Sequence, residues 1–464
     1  MTNIATRLAE HIHAVRWEDL PDDAIHWAKV GILDTVAVTL AGASEDCTRI
    51  ALGLPGVADA AGPALVYGHG RRASVLDAAL INGVASHALD YDDVNNHIGG
   101  HPSVPLVPAI LALADDLEVS GRDVVLAYVA GFEAETRIGR GVNQHHYEKG
   151  WHPTATLGIF GTVAAASRLM RLDVATTAVA LGMATSLSSG LKANFGTMTK
   201  PLHIGHSVRN GLFAAMLARD GFTANAGAFE HHQGFLDVFN GPGTYDMERT
   251  FAEWGQPWNV IQPGPNLKQF PCCGSTHGAI NAMLQLRAET GLQPEEVAEI
   301  TVLTTPRRLP HTDNPDPKSG LQAKFSMHYV TARALTDGAV KLAHFDGNAF
   351  DDDGPRSVMG KIKTGIHPDM ADPDHDGYGA EVIVATTDGR ELRQRVDNDV
   401  LRGPGYPMTE AELMEKFTDC VSRVLPDARV GQLHDMLMGL DGLERAANLS
   451  AFIEADRVAS HAAE

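Results

Sequence analysis

Cysteine, aromatic residues, positive charge and long apolar runs are all scarce in this 464-residue chain. Its four cysteines, Cys47, Cys272, Cys273 and Cys420, suit a reducing compartment and not a disulfide framework. The neighbours Cys272 and Cys273 lack a paired second C-x-x-C, which argues against zinc or an iron–sulfur cluster. Lys and Arg number 37 against 58 Asp and Glu, a net charge of −21, and no basic run is interleaved with aromatics. Nucleic acid and anionic membrane surfaces are therefore poor partners. The best apolar run, Val104 to Ala114, stops at Asp115, short of the ~20 residues needed to span a bilayer. Arg7 and Glu10 fall where a secretory signal would be apolar, so a cytoplasmic location is expected. What the chain does have is 44% hydrophobic residues, enough for sizeable cores, and a length that allows two or three units at roughly 150 residues each.

The first 260 residues read as helix almost throughout. Pro21-Asp22-Asp23 opens an apolar-periodic segment that runs to Ala41 and is stopped by Gly42. Ser74 to Asp77 and Ser120 to Asp123 have capping-box spacing, and each predicts a helix after it. Segments 154–171, 173–190, 206–220 and 275–290 are rich in Ala, Leu, Met and Gly, small enough to let helices approach closely. After Pro263 the texture changes. Glu299 to Thr305 reads as a strand; Val382 to Thr387, Asp388-Gly389 and Arg390 to Val396 read as a hairpin with a type I′ turn. Helical stretches 324–338 and 343–350 lie between, and helix resumes after Thr409 and over 427–460. The fold class expected is mainly α: a large all-α helical domain, 1–264 and 398–464, with an inserted smaller α+β domain, 265–397. No internal repeat or low-complexity segment is evident. Asp351 to Gly354 and Asp372 to Gly377 read as solvated acidic loops without calcium-loop spacing.

Four segments carry candidate chemistry. Between Lys192 and Arg209 two lysines, two histidines and an arginine gather in an otherwise acidic chain. Lys200 and His203 sit in a Gly/Thr/Pro-broken turn before a helical pattern, where side chains and free N–H groups can converge on one carboxylate; the alternative is a solvated loop. The second segment, His87-Ala88-Leu89-Asp90-Tyr91-Asp92-Asp93, precedes His101-Pro102-Ser103. Three carboxylates in four positions cannot all ionise cheaply when buried, so they face water or one is held by a cation or by donors, and His101 is placed to meet one. A metal site is the rival reading, but no second acidic cluster completes it. The third is Gly150-Trp151-His152-Pro153-Thr154, where His152 before a helix start is a structural cap or an acid or base near pH 7. The fourth, Asn266 to His277, sets Lys268 in another Pro/Gly-broken loop and offers Cys272 as a nucleophile with no identifiable activating partner.

With Thr199-Lys200-Pro201-Leu202-His203-Ile204-Gly205, Lys268-Gln269-Phe270-Pro271 and Phe325-Ser326-Met327-His328-Tyr329, these segments resemble the MmgE/PrpD family over essentially the whole chain. That family includes 2-methylcitrate dehydratases, iminodisuccinate epimerase and cis-aconitate decarboxylases. The resemblance implies a large all-α domain built from both chain ends, a smaller α+β domain covering the site, a homodimer, and no metal or organic cofactor. It places the family's pocket positions on Asp90, His101, His152, Lys200, Lys268 and Tyr329. Two departures stand out. Decarboxylase members have a Thr directly after the acidic cluster where this chain has Val94, with Asn95 or Asn96 available to fill the gap before His101. The Trp-containing stretch of dedicated 2-methylcitrate dehydratases is absent.

The residue types define a chemistry. Proton removal next to a carboxylate builds a dianionic, enolate-like intermediate that only preorganised cations stabilise enough. Lys200 and Lys268, with His203 beside them, are expected to bind substrate carboxylates, and His101 and His152 to move protons. Asp90 is expected to orient a neighbouring histidine; Tyr329 is expected to donate to a substrate oxygen, with domain closure completing the site. The expected function is a cofactor-independent lyase on a small di- or tricarboxylate, dehydration first, epimerisation next, then decarboxylation. A non-catalytic polycarboxylate-binding protein is the alternative from a different class.

Overall fold

The computed structural model describes residues 3–372, 377–397 and 400–454, and it is mainly helical. The chain divides into two units: Met1–Leu267 with Gly403–Gly405 and Thr409–Glu464, and Lys268–Arg402 with Tyr406–Met408.

In the larger unit, Pro21 stands before the helix Asp22–Gly42, whose first-turn Asp22 and Asp23 complement the helix dipole. This helix has an 18-residue window of mean hydropathy 1.3, so one segment does reach spanning length by composition, contrary to the sequence reading. That window is 78% buried within the protein, and the helix carries Asp34, whose Oδ1 lies 2.6 Å from Lys416 Nζ with both side chains almost fully buried. Lys416 comes from the helix Glu410–Val421, opened by a reciprocal capping box between Thr409 and Glu412. Its ammonium also donates to the carbonyl of Tyr91, at 2.9 Å.

Ser74 caps the helix Val75–His87 by accepting from the Asp77 N–H, and Ser120 and Asp123 form a complete capping box on Gly121–Val142. The expected 154–171 helix is two, Pro153–Thr156 and Gly158–Leu169. The expected 206–220 helix begins earlier, at Thr199, and runs to Arg219. Pro201 is no obstacle there, because a first-turn residue has no intrahelical N–H bond to lose. Val75–His87 and Thr199–Arg219 cross where neither has a side chain. A Cβ on Gly205 would stand 2.5 Å from the Leu80 carbonyl, and one on Gly83 would be 2.9 Å from Gly205 Cα. The crossing brings the last turn of one helix near the first turn of the other, His87 near Lys200.

This unit is not wholly helical. Ala64–Val66 and Arg71–Ala73 pair as a short antiparallel ribbon that the sequence reading missed. The C-terminal expectation of helix over 427–460 resolves into Asp427–Met438 and Asn448–Glu454; residues 455–460 lie outside the described residues.

Glu135 is fully buried on the Gly121–Val142 helix, and neither carboxyl oxygen has a hydrogen-bond partner among the described residues. It faces Gly161, where a Cβ would come within 2.3 Å of Oε2. Burial first, then the nearby Asp93, holds its carboxyl well above the usual carboxylate range. The folded state thus keeps a proton that the unfolded chain releases above its ordinary value of 4.5. This stabilisation is full below that value and is lost as pH rises toward the folded value, by about 1.4 kcal/mol per pH unit. Glu135→Gln is expected to flatten the fall of stability with pH above 4.5, read as urea midpoints against pH; an unchanged slope would assign the effect elsewhere.

In the smaller unit, Val297–Thr304 is flanked by parallel Ile362–Ile366 and antiparallel Ala380–Thr386, with Glu391–Val396 at the edge. Alternate residues Ile300, Val302, Val382 and Val384 form one core with Ile280 and Met283 of helix His277–Thr290 and Val330 of Met327–Asp337. The 343–350 stretch is two 3-10 turns, Leu342–Phe345 and Ala349–Asp351, and strand Ile362–Ile366 was not foreseen. The hairpin is present, but its turn is not type I′. That type needs positive φ at both Asp388 and Gly389, and only Gly389 has it, at 87°. Thr386 and Arg390 pair around a three-residue loop, a type I turn closed by a left-handed glycine. Of the expected acidic loop Asp372 to Gly377, residues 373–376 lie outside the described residues.

Candidate active site

The larger unit gathers His87, Asp90, Asp92, Asp93, His101, His152, Lys200 and His203. All three carboxylates of the Asp90-Tyr91-Asp92-Asp93 turn are buried, and the structure resolves the expected conflict among them in three ways. Asp90, in a left-handed conformation with φ 53°, which Asp adopts more readily than most residues, accepts a short hydrogen bond from Lys200 Nζ. Asp92 Oδ2 accepts from His87 Nδ1 at 2.8 Å and lies 2.9 Å from His101 Nδ1, the second contact off the ideal hydrogen-bond line. Burial raises the Asp92 carboxyl, but the two histidines outweigh it and hold it well below the usual carboxylate range. Asp93 is held well above that range by burial, with Asp34 and Asp92 adding to it. Its oxygens accept from Ser103, at 2.6 Å from Oγ and 3.3 Å from the N–H, and Ser103 Oγ lies 2.6 Å from the Tyr128 hydroxyl.

Asp90, expected to orient a neighbouring histidine, accepts from Lys200 and stands 3.9 Å from His101 Nε2; the carboxylate at His101 Nδ1 is Asp92. Assigning the proton to Nδ1 from that contact leaves Nε2 as a lone pair on the side of the Asp90 carboxylate that Lys200 holds. The backbone of His101 is fixed as well, because its N–H donates to Thr154 Oγ1 at 3.0 Å.

His152 is the residue before the helix Pro153–Thr156, and its N–H donates to the Gly190 carbonyl at 3.0 Å. Its Nδ1 meets His203 Nδ1 at 3.2 Å, so one ring donates and the other accepts. It stacks on His87, centroids 5.6 Å apart, and meets the edge of Phe195 at 4.8 Å. Burial, then the neighbouring His87 and Lys200, lowers the His152 imidazole well below its ordinary value. Burial also takes the His87 imidazole down to about 4, and it lowers His203. Each of these shifts favours the uncharged imidazole. Lys200 and His203 are on the first two turns of the helix Thr199–Arg219, not in the broken turn that Pro201 and Gly205 implied.

The donor atoms of His87, Asp92 and His101 lie within 4.8 Å of one another, and no other such group occurs among the described residues. Both Nδ1 atoms converge on a single oxygen at hydrogen-bond distance. The His87 contact is a hydrogen bond to that oxygen, and the His101 contact has the distance of one.

In the smaller unit Lys268 is 3% exposed and Lys324 is similarly buried, and the charge of both acts on Cys272. Burial nevertheless pushes the Cys272 thiol up to about 12, which disfavours a nucleophile. Tyr329 is fully buried in this unit's core. Its hydroxyl donates to the His344 carbonyl and accepts from Arg333 Nε at 2.8 Å. To serve a substrate it would have to give up the His344 carbonyl, so the expected donor role does not follow from this geometry.

Neither asparagine replaces the absent threonine. Asn95 uses its side-chain oxygen on the N–H groups of His97 and Ile98 and its amide on the Gly264 carbonyl, and Asn96 is exposed. Val94 itself pairs through its backbone with Asn266. The sequence reading missed Asp92 as the carboxylate on His101, His87 behind it, and Lys416 on the Tyr91 carbonyl. For His87 the signal was its place at a helix end inside the acidic motif.

The MmgE/PrpD N-terminal domain matches residues 6–248 and the MmgE/PrpD C-terminal domain residues 270–439. The cis-aconitate decarboxylase of Homo sapiens is 29% identical over 465 residues, covering 98% of this chain and 95% of the relative. The cis-aconitate decarboxylase of Aspergillus terreus is 27% identical over 468 residues, covering 94% and 92%. In Aspergillus oryzae the cis-aconitate decarboxylase-like protein oryM is 27% identical, covering 98% of each chain. With both of its domains matched in order, the chain belongs to the MmgE/PrpD family.

Proposed function

We propose that this protein is a lyase acting on a small di- or tricarboxylate through a carbanion formed next to a carboxylate. The observation that carries the reading is the carboxylate–imidazole pair of Asp92 and His101, 2.9 Å apart, with the second imidazole nitrogen 3.9 Å from the Asp90 carboxylate that Lys200 holds. A carboxylate at Nδ1 makes Nε2 a better base and stabilises the imidazolium that forms. Lys200 supplies positive charge where the enolate's negative charge develops. In this scheme His101 removes the C–H proton, its electron pair enters the enolate, and the enolate expels the β-hydroxyl, which leaves as water by taking the proton from the His101 imidazolium and so returns the ring to its neutral form. His152, too desolvated to hold a proton at neutral pH, acts as an uncharged hydrogen-bonding ring.

Dehydration is placed first because it uses a base, and because the decarboxylase threonine position is Val94. Decarboxylation of cis-aconitate is the second reading, favoured by the relatives that match over nearly their whole length and are named for that activity. Both predict protein-catalysed chemistry at a carbon next to a carboxylate. The test is a panel of citrate, 2-methylcitrate, cis-aconitate and iminodisuccinate incubated in D₂O and followed by NMR. Loss of water with deuterium in recovered substrate supports dehydration, and release of CO₂ with one deuterium in the product supports decarboxylation. Inversion with deuterium uptake would instead make it an epimerase. Binding of every compound with all carbon-bound hydrogens retained would overturn the enzyme reading in favour of a polycarboxylate-binding protein.

A further inference from the structure

The Asp92 carboxylate is fully buried, and its Oδ2 is held between two imidazoles, with His87 making the aligned bond and His101 the off-line one. His87 is anchored in turn by packing. It closes the helix Val75–His87, is 1% exposed, stacks on His152, and meets His101 edge-on with centroids 4.7 Å apart. Its Nε2 has no hydrogen-bond partner among the described residues, so the ring's one hydrogen bond among them is through Nδ1. From these contacts we infer that His87 is a positioning residue: by donating to Asp92 Oδ2 it keeps that oxygen at His101 Nδ1 and so fixes His101 in the tautomer whose Nε2 is the base. The inference rests on the proposed role of His101 and adds a residue that touches no substrate.

The charged and titratable groups facing His101 are Asp90 and Asp92 from the acidic turn, His87, Lys200 from the Thr199–Arg219 helix, and His152. None but Asp92 approaches Nδ1 at hydrogen-bond distance among the described residues. Without the His87 donor the carboxylate is free to rotate its charge toward other partners, and His101 can exchange its proton between nitrogens.

The test needs no substrate. Histidine-¹⁵N-labelled protein, with the His101 signals identified by their loss in His101→Gln, reports which nitrogen carries the proton. The wild type is expected to show Nδ1–H. His87→Phe keeps both ring contacts but removes the donor, and a mixture of tautomers is expected. His87→Asn should restore the Nδ1–H form, because its amide N–H can occupy the place of the imidazole Nδ1–H. If the NMR panel identifies a substrate, His87→Phe should lower kcat roughly ten- to a hundredfold with little change in KM, the range for removing a partner that orients a functional imidazole. Unfolding of His87→Phe leaves His87→Asn and His87→Gln for the same measurement, since the longer Gln amide cannot overlay Nδ1 and should not restore the tautomer. A pure Nδ1–H signal in every His87 variant would overturn the inference while leaving the lyase reading intact; a tautomer change with no turnover of any polycarboxylate would do the reverse.

Discussion

Lys200→Ala is expected to lower kcat/KM by 10²–10³, about 2.7–4 kcal/mol, the loss seen when one preorganised electrostatic contact to a developing anion is removed. Two effects are superimposed in that variant. Lys200 is the cation on the buried Asp90 carboxylate, so its removal also leaves a charge without its partner and destabilises the fold. Adding Asp90→Asn removes that charge and should recover stability measured by urea unfolding. Activity should stay low, because the cation on the substrate is still missing. Recovery of activity in Lys200→Ala/Asp90→Asn would mean that Lys200 acts only by neutralising Asp90.

The second large effect is expected far from the chemistry. Lys416→Met should destabilise the protein by about 3–5 kcal/mol, as breaking a buried ion pair from one side does. It strands Asp34, whose side chain is 2% exposed, and takes a donor from the Tyr91 carbonyl. Replacing both partners, Asp34→Leu with Lys416→Met, should recover most of that loss, since apolar side chains of similar volume often substitute for a buried pair. A single variant as stable as the wild type would show that water or a neighbouring group takes over the pairing.

The sequence made legible those features whose physics is local. Pro21 marks a helix start because its φ is preset at the N-cap, and Gly42 is the last helical residue; Ser120 with Asp123 marks a start because their hydrogen bonds span three residues. The family motifs brought His101, His152 and Lys200 into one list, and the larger unit places all three beside the acidic turn. Which oxygen faces which nitrogen was not legible. Asp90 and Asp92 are chemically alike in sequence, and the left-handed backbone at Asp90 is what sends one to a lysine and the other to two imidazoles. The early start of the Thr199–Arg219 helix was hidden because Pro201 and Gly205 read as breaks. One lies in the first turn, and the other is the point of closest approach to another helix. Tyr329 was chosen by motif alone, and nothing in a motif reveals that Arg333, four residues on, holds the hydroxyl.

The bond from Lys416 to the Tyr91 carbonyl spans 325 residues of chain, and this separation orders events during synthesis. At about 5–20 residues per second, roughly 16–65 s pass between translation of Tyr91 and of Lys416. For most of that interval a nascent chain contains His87, Asp90, Asp92, His101 and, later, Lys200, but lacks the ammonium that fastens the turn on which the acids stand. The acidic turn is therefore expected to become rigid late. A ribosome-stalled chain ending before residue 409 should bind chaperones through the uncovered face of the Asp22–Gly42 helix, and should gain protection of the 90–93 amides only after the C-terminal helices are released.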